Sequence, residues 1–154
     1  MLAGPCLPHL DSLIVNELEA SALTGIPAAA PDVDAPVEWA AMEAVAHGLI
    51  EQGVSSLAVV HFPAGAVAAT RDGQIWRQGS VRMSPDRIVS TTGAGDAFAA
   101  GVIHGLHESW SVEDCLRLGA AAAAACIQDA HTSDGIGTVS ECLALGDELG
   151  YRPS

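Results

Sequence analysis

The stretch Ser90-Thr-Thr-Gly-Ala-Gly-Asp-Ala-Phe-Ala-Ala-Gly101 places two glycines and a carboxylate at the start of an alanine-rich segment. Glycine permits a tight turn and alanine favours helix, so the pattern predicts a glycine turn that leads into a helix. The N–H groups of Gly93, Ala94 and Gly95 lack partners at such a helix start, where the helix dipole also favours negative charge. Asp96, in the first turn, supplies a carboxylate that can accept a hydroxyl proton. The stretch therefore predicts an anion site with a base beside it.

The same stretch also fits an ordinary helix start. In that interpretation Ser90 or Thr92 caps the helix, and Asp96 only complements the helix dipole. Phosphoryl transfer to an alcohol needs the anion site and the base together, so residues elsewhere in the chain decide between the two interpretations.

Composition restricts the function further. The chain has 154 residues, a net charge of -13 and no lysine. The length suits a single domain, and the acidic balance argues against nucleic acid as a partner. A Walker-type phosphate loop requires lysine, so backbone N–H groups, arginine or a metal must bind any phosphate here.

The cysteines and the hydropathy indicate the compartment. No Cys-x-x-Cys pair is present, and we expect reduced core residues of a cytoplasmic protein at Cys6, Cys115, Cys126 and Cys142. The N-terminus lacks the pattern of a signal peptide, and the alanine run after Gly119 is too short to span a membrane. Neither a membrane nor secretion is therefore expected.

Hydrophobic periodicity predicts an α/β domain. The expected elements, with the loops that the prolines and glycines indicate, are a strand over 10–15, a helix from Asn16 to Gly25, a loop over 28–36, a helix over 38–52, a strand over 56–61, a hairpin of 66–70 and 74–78, and helices over 95–107, 112–128 and 139–149.

Three separated segments share one family pattern. Ser90-Thr-Thr-Gly-Ala-Gly-Asp96 differs only at its first position from the signature Asp-Thr-x-Gly-Ala-Gly-Asp, and Asn16-Glu-Leu-Glu19 matches Asn-x-x-Glu. The alanine-rich helix over 116–125, followed by Ser133-Asp-Gly135, looks like a small-residue helix and loop that wall an adenine site. Together these segments resemble the ribokinase-like, or PfkB-type, carbohydrate kinase family.

The resemblance implies a fold and an extent. It implies the three-layer ribokinase-like (Rossmann-like) α/β fold, with residues 1–154 forming a single partial domain, the C-terminal portion that binds nucleotide and carries catalysis. The N-terminal strands and the lid of the family have no counterpart in this sequence. We therefore expect a long unpaired sheet edge, and a homodimer or a missing N-terminal half as possible partners.

The resemblance also implies a reaction. A small sugar-like substrate would be phosphorylated on a hydroxyl by ATP, with Asp96 taking the hydroxyl proton and the N–H groups of Gly93, Ala94 and Gly95 steadying the transferring charge. Mg²⁺ would bridge the phosphates.

Cofactor contacts are implied for further residues. Asn16 and Glu19 would organise Mg²⁺ and its waters, Glu19 acting through water, although the same two residues also fit a capping box that starts a helix. Thr92, beside the glycines, and Ala122 and Gly135, in the adenine wall, would contact the nucleotide.

The loop after the Val59-Val60 strand departs from the family. Many members have Thr-x-Gly-x-x-Gly there, whereas this chain has His61-Phe-Pro-Ala-Gly-Ala66. Gly65 would keep the close backbone approach to the nucleotide, but Pro63 cannot donate an N–H. This departure indicates a divergent branch.

Two other functions stay open. The chain could be a non-catalytic nucleotide-binding or interaction domain from a truncated kinase, or a nucleoside kinase of the same family. Intact Asn16, Glu19 and Asp96 favour the kinase interpretation, because a non-catalytic domain has no chemical need for all three.

Overall fold

The computed structural model describes residues 4–28, 36–131 and 134–154. The predicted loop over 28–36, apart from its two end residues, and Ser133 of the predicted adenine loop lie outside the described residues. The chain divides into two compact units, Met1–Arg77 and Gln78–Ser154.

The first unit is built on a mixed sheet. Its elements are a 3₁₀ helix Gly4–His9, β1 Ser12–Asn16, α1 Glu17–Thr24, α2 Trp39–Glu51, β2 Leu57–Phe62, β3 Gly65–Thr70 and β4 Ile75–Gly79, whose last two residues fall in the second unit. The strand order is β1-β2-β3-β4, with β1 parallel to β2 and β2 antiparallel to β3. Within the described residues β1 has no strand on its outer side, which confirms the predicted open edge.

One face of this sheet packs against α2. The side chains of Met42, Val45, Ala46 and Leu49 recur at helical spacing and are fully buried. They join alternate residues of the strands, such as Val60, in one apolar cluster. Burial of this stripe, rather than helix propensity, holds α2 in place.

The predicted hairpin forms around Arg71-Asp-Gly73. The Thr70 N–H donates to the Gln74 carbonyl at 3.1 Å, and the Gly73 N–H donates to the Thr70 carbonyl at 3.0 Å. Gly73 has φ of 85°, the left-handed conformation that closes a three-residue hairpin loop and that glycine adopts without strain.

The second unit is mainly helical. Its elements are a 3₁₀ helix Pro85–Arg87, α3 Ala94–His107, α4 Val112–Cys126 and α5 Val139–Leu149. α3 and α4 meet at glycines: a methyl group added to Gly101 would lie 2.9 Å from the Gly119 Cα, and one added to Gly119 would lie 2.9 Å from the Phe98 carbonyl oxygen. The small residues of α4 therefore let the two backbones approach closely.

The structure corrects several details. The 3₁₀ helix Gly4–His9 was not expected, and the first strand covers Ser12–Asn16 instead of 10–15. Cys6 is exposed, so the expectation of four core cysteines is wrong at that position, while the other three are buried. In the described part of the chain, every helix is too short or too polar to cross a membrane.

Candidate functional site

The glycine loop, defined here as residues 90–96, turns sharply into α3. Gly93 is the N-cap, with φ of 84°, and α3 has no side-chain cap. The Ser90 hydroxyl instead accepts from the Thr92 N–H at 3.2 Å, within the loop. The interpretation in which Ser90 or Thr92 caps this helix is therefore wrong, because the left-handed turn at Gly93 brings the backbone itself to the helix start.

Backbone donors collect at this turn. The Ala97 N–H donates to the Gly93 carbonyl at 2.9 Å, and the Ala94 N–H donates to the Thr91 carbonyl at 3.3 Å. The N–H groups of Gly93, Gly95 and Asp96 have no acceptor within the described part of the chain. The free donors thus differ from the predicted set, since Asp96 replaces Ala94. Unpaired donors at a helix N-terminus form a site for an anion such as phosphate.

The Asp96 side chain is exposed in the first turn of α3. Its carboxylate accepts no hydrogen bond from the described residues and is open to solvent. The negative charge of Asp96 acts on the Cys126 thiol, whose pKa is raised by burial first and by this charge second. The Asp96 carboxylate and the unpaired N–H groups therefore lie on the same helix turn.

The glycine loop rests on the end of α4. The N–H groups of Val89 and Ser90 both donate to the Ile127 carbonyl, at 2.8 and 3.3 Å. The Cys126 Sγ lies 3.8 Å from the Thr92 carbonyl oxygen. The C-terminal carbonyls of a helix lack intrahelical partners, and here the Ile127 carbonyl bonds the segment that enters the glycine loop.

A cavity of about 310 Å³ opens at the same end of α4. It is lined by Ala125, Gln128, Asp134, Gly135, Ile136, Gly137, Glu141, Cys142 and Leu145. Its walls combine apolar side chains with backbone and a few acceptors, and no arginine lines it. The carboxylates of Asp134 and Glu141 on its wall disfavour a phosphate.

Of the residues predicted to contact the nucleotide in the second unit, Gly135 lines this cavity, whereas Ala122 and Thr92 do not. Gly135 lines it and approaches α4 so closely that an added methyl group would lie 2.7 Å from the Ala125 carbonyl oxygen. Ala122 is 5% exposed and lies one turn before Ala125, without lining the cavity itself. Thr92 is exposed in the glycine loop, on the other side of the α4 end.

Asn16 and Glu19 form the capping box that the sequence allowed. The Glu19 N–H donates to the Asn16 Oδ1 at 2.8 Å, and the Asn16 N–H donates to the Glu19 Oε2 at 3.0 Å. Glu19 is exposed, and its second oxygen, Oε1, makes no hydrogen bond in the described part of the chain. The capping box fixes the orientation of the carboxylate through Oε2 and leaves Oε1 available, so Glu19 can still hold a hydrated cation through water.

Two neighbours shape the surroundings of this box. Burial, with a smaller contribution from the Glu19 charge, raises the pKa of Glu17. His61 is the Cα partner of Asn16, at the carboxyl ends of two parallel strands, where ligands of α/β sheets commonly bind. Gly65 is buried as the first residue of β3, in register with Phe62.

Sequence reasoning missed most of the cavity wall. Ala125 lies in the predicted small-residue helix, but Gln128, just after α4, and Cys142 and Leu145, one turn apart on α5, were not foreseen. The pattern Thr138-x-x-Glu141 is a capping-box signature that marks the start of α5, and the box is formed here. The helix over 139–149 was predicted, but its contribution to the cavity wall was not.

Comparison with known proteins identifies the fold. Arabidopsis thaliana ribokinase, solved with ribose and ATP, superimposes with a TM-score of 0.77 at 27% identity, over 92% of this chain and 42% of the ribokinase. An E. coli protein assigned as ribokinase II, solved with ATP and Mg²⁺, gives a TM-score of 0.73 at 20% identity, over 94% of this chain and 42% of that one. The ribokinase-like α/β fold is confirmed.

Sequence comparison agrees. The 5-dehydro-2-deoxygluconokinase of Clostridium perfringens is 31% identical over 97 residues, which are 63% of this chain and 28% of the relative. The chain thus spans between a quarter and a half of the length of the relatives it matches. The pfkB family carbohydrate kinase pattern matches residues 5–138, which include both the capping box and the glycine loop. The chain belongs to the PfkB family of carbohydrate kinases.

Proposed function

We propose that residues 1–154 act as one partial domain, the nucleotide-binding and catalytic portion of a kinase that transfers the γ-phosphoryl group of ATP to a hydroxyl of a sugar or sugar-like molecule. The observation that carries this proposal is the turn at Gly93, where three unpaired N–H groups and the Asp96 carboxylate share one helix start. Membership of the family supports the same reaction class.

Asp96 is the proposed general base. The acceptor oxygen attacks the γ-phosphorus as its proton passes to the Asp96 carboxylate, and the bond from the γ-phosphorus to the leaving ADP oxygen breaks. The N–H groups of Gly93 and Gly95, with a smaller expected share from Ala94, stabilise the charge on the transferring oxygens. These groups are fixed by the turn, so they need no reorganisation during the reaction.

The nucleotide is proposed to bind with its base in the cavity of the second unit. Gly135 and Ala125 supply closely packed backbone, and Ala122 supports the wall from one turn away. Thr92 is proposed to contact the phosphates, and Gly65 to allow close approach of backbone in the first unit. The relatives solved with ATP support the choice of nucleotide.

Mg²⁺ is the proposed metal. When bound, it would supply charge neutralisation for the phosphates. Asn16 and Glu19 would hold it through water, because the capping box leaves one Glu19 oxygen directed away from the backbone.

Binding is tested first, by thermal unfolding of the 154-residue chain with and without Mg-ATP. A ligand that binds only the folded state stabilises it by about 2.7 kcal/mol at one hundred times its Kd, so the midpoint should rise. Glu19→Ala should reduce the rise. No rise at saturating nucleotide would contradict the proposal.

Transfer is tested by ADP release with ribose, 5-dehydro-2-deoxygluconate and a nucleoside as acceptors. Asp96→Asn should keep nucleotide binding and lower turnover by about 10²–10⁴-fold, the usual contribution of a general base. Asp86→Asn, which removes the same charge from an exposed 3₁₀ position, is the control and should leave turnover unchanged. Nucleotide binding without transfer to any acceptor would favour the non-catalytic alternative.

A further inference from the structure

We propose that the C-terminal turn of α4, residues 125–128 and here named the α4 turn, positions the glycine loop according to whether the cavity is filled. A base in the cavity would then help to order the loop that carries Asp96. The inference rests on the proposed function, because it takes the cavity as the place of the nucleobase.

Two residues of the α4 turn contact the glycine loop and its entry directly. Ile127 offers one carbonyl to two donors, the N–H groups of Val89 and Ser90. Cys126, 1% exposed, places its Sγ 3.8 Å from the Thr92 carbonyl oxygen. Any shift of this turn therefore moves the acceptor that fixes the entry to the glycine loop.

The cavity side involves the other two residues of the α4 turn. Ala125 and Gln128 line the cavity, and Gly135 packs against the Ala125 carbonyl with no room for a methyl group. A ring that fills the cavity would contact Ala125 and Gln128, the residues of the turn next to those that contact the glycine loop.

Backbone hydrogen bonds and burial keep the α4 turn in one conformation. The Ile127 N–H donates to the Ala123 and Ala125 carbonyls, and the Asp129 N–H donates to the Cys126 carbonyl at 3.3 Å. Ala125 and Cys126 are buried at 5% and 1% exposure. Close-packed groups move together rather than deform separately, so a displacement on the cavity side is passed to the loop side.

The first arm of the test uses adenosine and the unmodified chain. Adenosine can fill the cavity but has no phosphate to reach the N–H groups at Gly93, so any effect on the glycine loop must pass through the protein. NMR shift changes at 134–137 report occupancy. We expect hydrogen exchange of the bonded amides of Val89, Ser90 and Ala97 to slow by about tenfold when the cavity is filled.

The second arm needs no ligand. Gly135→Ala presses on the Ala125 carbonyl, so it should speed exchange of the Val89 and Ser90 amides. Gly137→Ala is the matched control, because the atoms nearest its added methyl group belong to the side chain of Glu141, with Oε2 at 2.7 Å, and not to the α4 turn. If Gly135→Ala only destabilised the second unit as a whole, amide exchange would become faster throughout that unit. The proposed link instead predicts that exchange becomes faster at Val89 and Ser90 more than in α5.

The outcomes separate the two proposals. Adenosine-induced shifts at 134–137 with unchanged exchange at Val89 and Ser90 would overturn the link and leave the nucleobase cavity intact. Absence of shifts at 134–137 would overturn the nucleobase cavity, and the link would fall with it. Slowed exchange in the first arm, together with faster exchange for Gly135→Ala but not for Gly137→Ala, supports the link.

Discussion

Substitution of Gly101 by alanine tests the packing that holds the glycine loop helix. Gly101 lies on α3, five residues after Asp96, and faces α4. A methyl group there would lie 2.9 Å from the Gly119 Cα, 2.9 Å from the Gly119 nitrogen and 3.0 Å from the Leu118 carbonyl oxygen. All three atoms belong to backbone, so no rotamer change can make room.

The magnitude follows from two opposed effects. Alanine in place of glycine favours a helix by about 1 kcal/mol. Against this, the helices must separate by about 0.6 Å to reach the roughly 3.5 Å optimum for carbon contacts, and overpacking of this kind costs about 1–3 kcal/mol. We expect Gly101→Ala to lower the free energy of unfolding by up to about 2 kcal/mol, and Tm by up to about 8 °C.

Urea unfolding and thermal melting measure this loss, with Gly48→Ala as the matched control. Gly48 is also a buried helical glycine, on α2, but an added methyl group would meet the Ile26 Cδ1 at 2.9 Å and the Thr24 Cγ2 at 3.2 Å, both on side chains that can yield. The control should be neutral or more stable than the unmodified chain. If Gly101→Ala were as stable as Gly48→Ala, the reasoning from close backbone approach would be refuted.

Three further predictions concern the cap of α1, the charge of Glu17 and the burial of the cysteines. Asn16→Ala should destabilise the chain by about 1 kcal/mol in urea unfolding through loss of the cap on α1, while Asn16→Asp should retain the cap; equal losses in both would contradict the capping role. Burial raises the pKa of Glu17 in the folded chain, so the stability that the protonated side chain provides is present below the unfolded pKa and is lost as pH rises through the folded pKa. Glu17→Gln should therefore have a higher free energy of unfolding than the unmodified chain at pH 7, and this difference should close towards about pH 4. A difference that does not change with pH would refute this. In the folded chain a thiol reagent should modify Cys6 rapidly and the buried cysteines only after unfolding, since burial raises the pKa of those thiols; four fast thiols at native conditions would contradict the described burial.

Local sequence signals placed most elements. The hairpin followed from Asp72-Gly73, because a left-handed residue is required at that point and glycine adopts it freely. The start of α1 followed from Asn16, whose side chain accepts from the third helical N–H in the capping box that the sequence allowed. These features depend on neighbours along the chain, so a sequence pattern contains the information needed to predict them.

Other features depended on contacts distant in sequence. The predicted strand over 10–15 began two residues early, because pairing with β2, rather than hydrophobicity, sets the limits of β1. The predicted cap at Ser90 or Thr92 failed because the loop is held by the Ile127 carbonyl, far along the chain. The alanine run of α4 was assigned to an adenine wall, yet its glycine and alanines also pack against α3.

The sequence by itself determined the family, the residue types of the anion turn and the position of Asp96 at a helix start, since short motifs and backbone preferences specify them. Only the tertiary structure decided which N–H groups at that turn stay unpaired, that the cavity is walled by the ends of α4 and α5, and that Gly135 lies against Ala125. The physical reason is that local preferences act between neighbours in the chain, whereas donor satisfaction and cavity shape depend on segments that meet only when the helices pack.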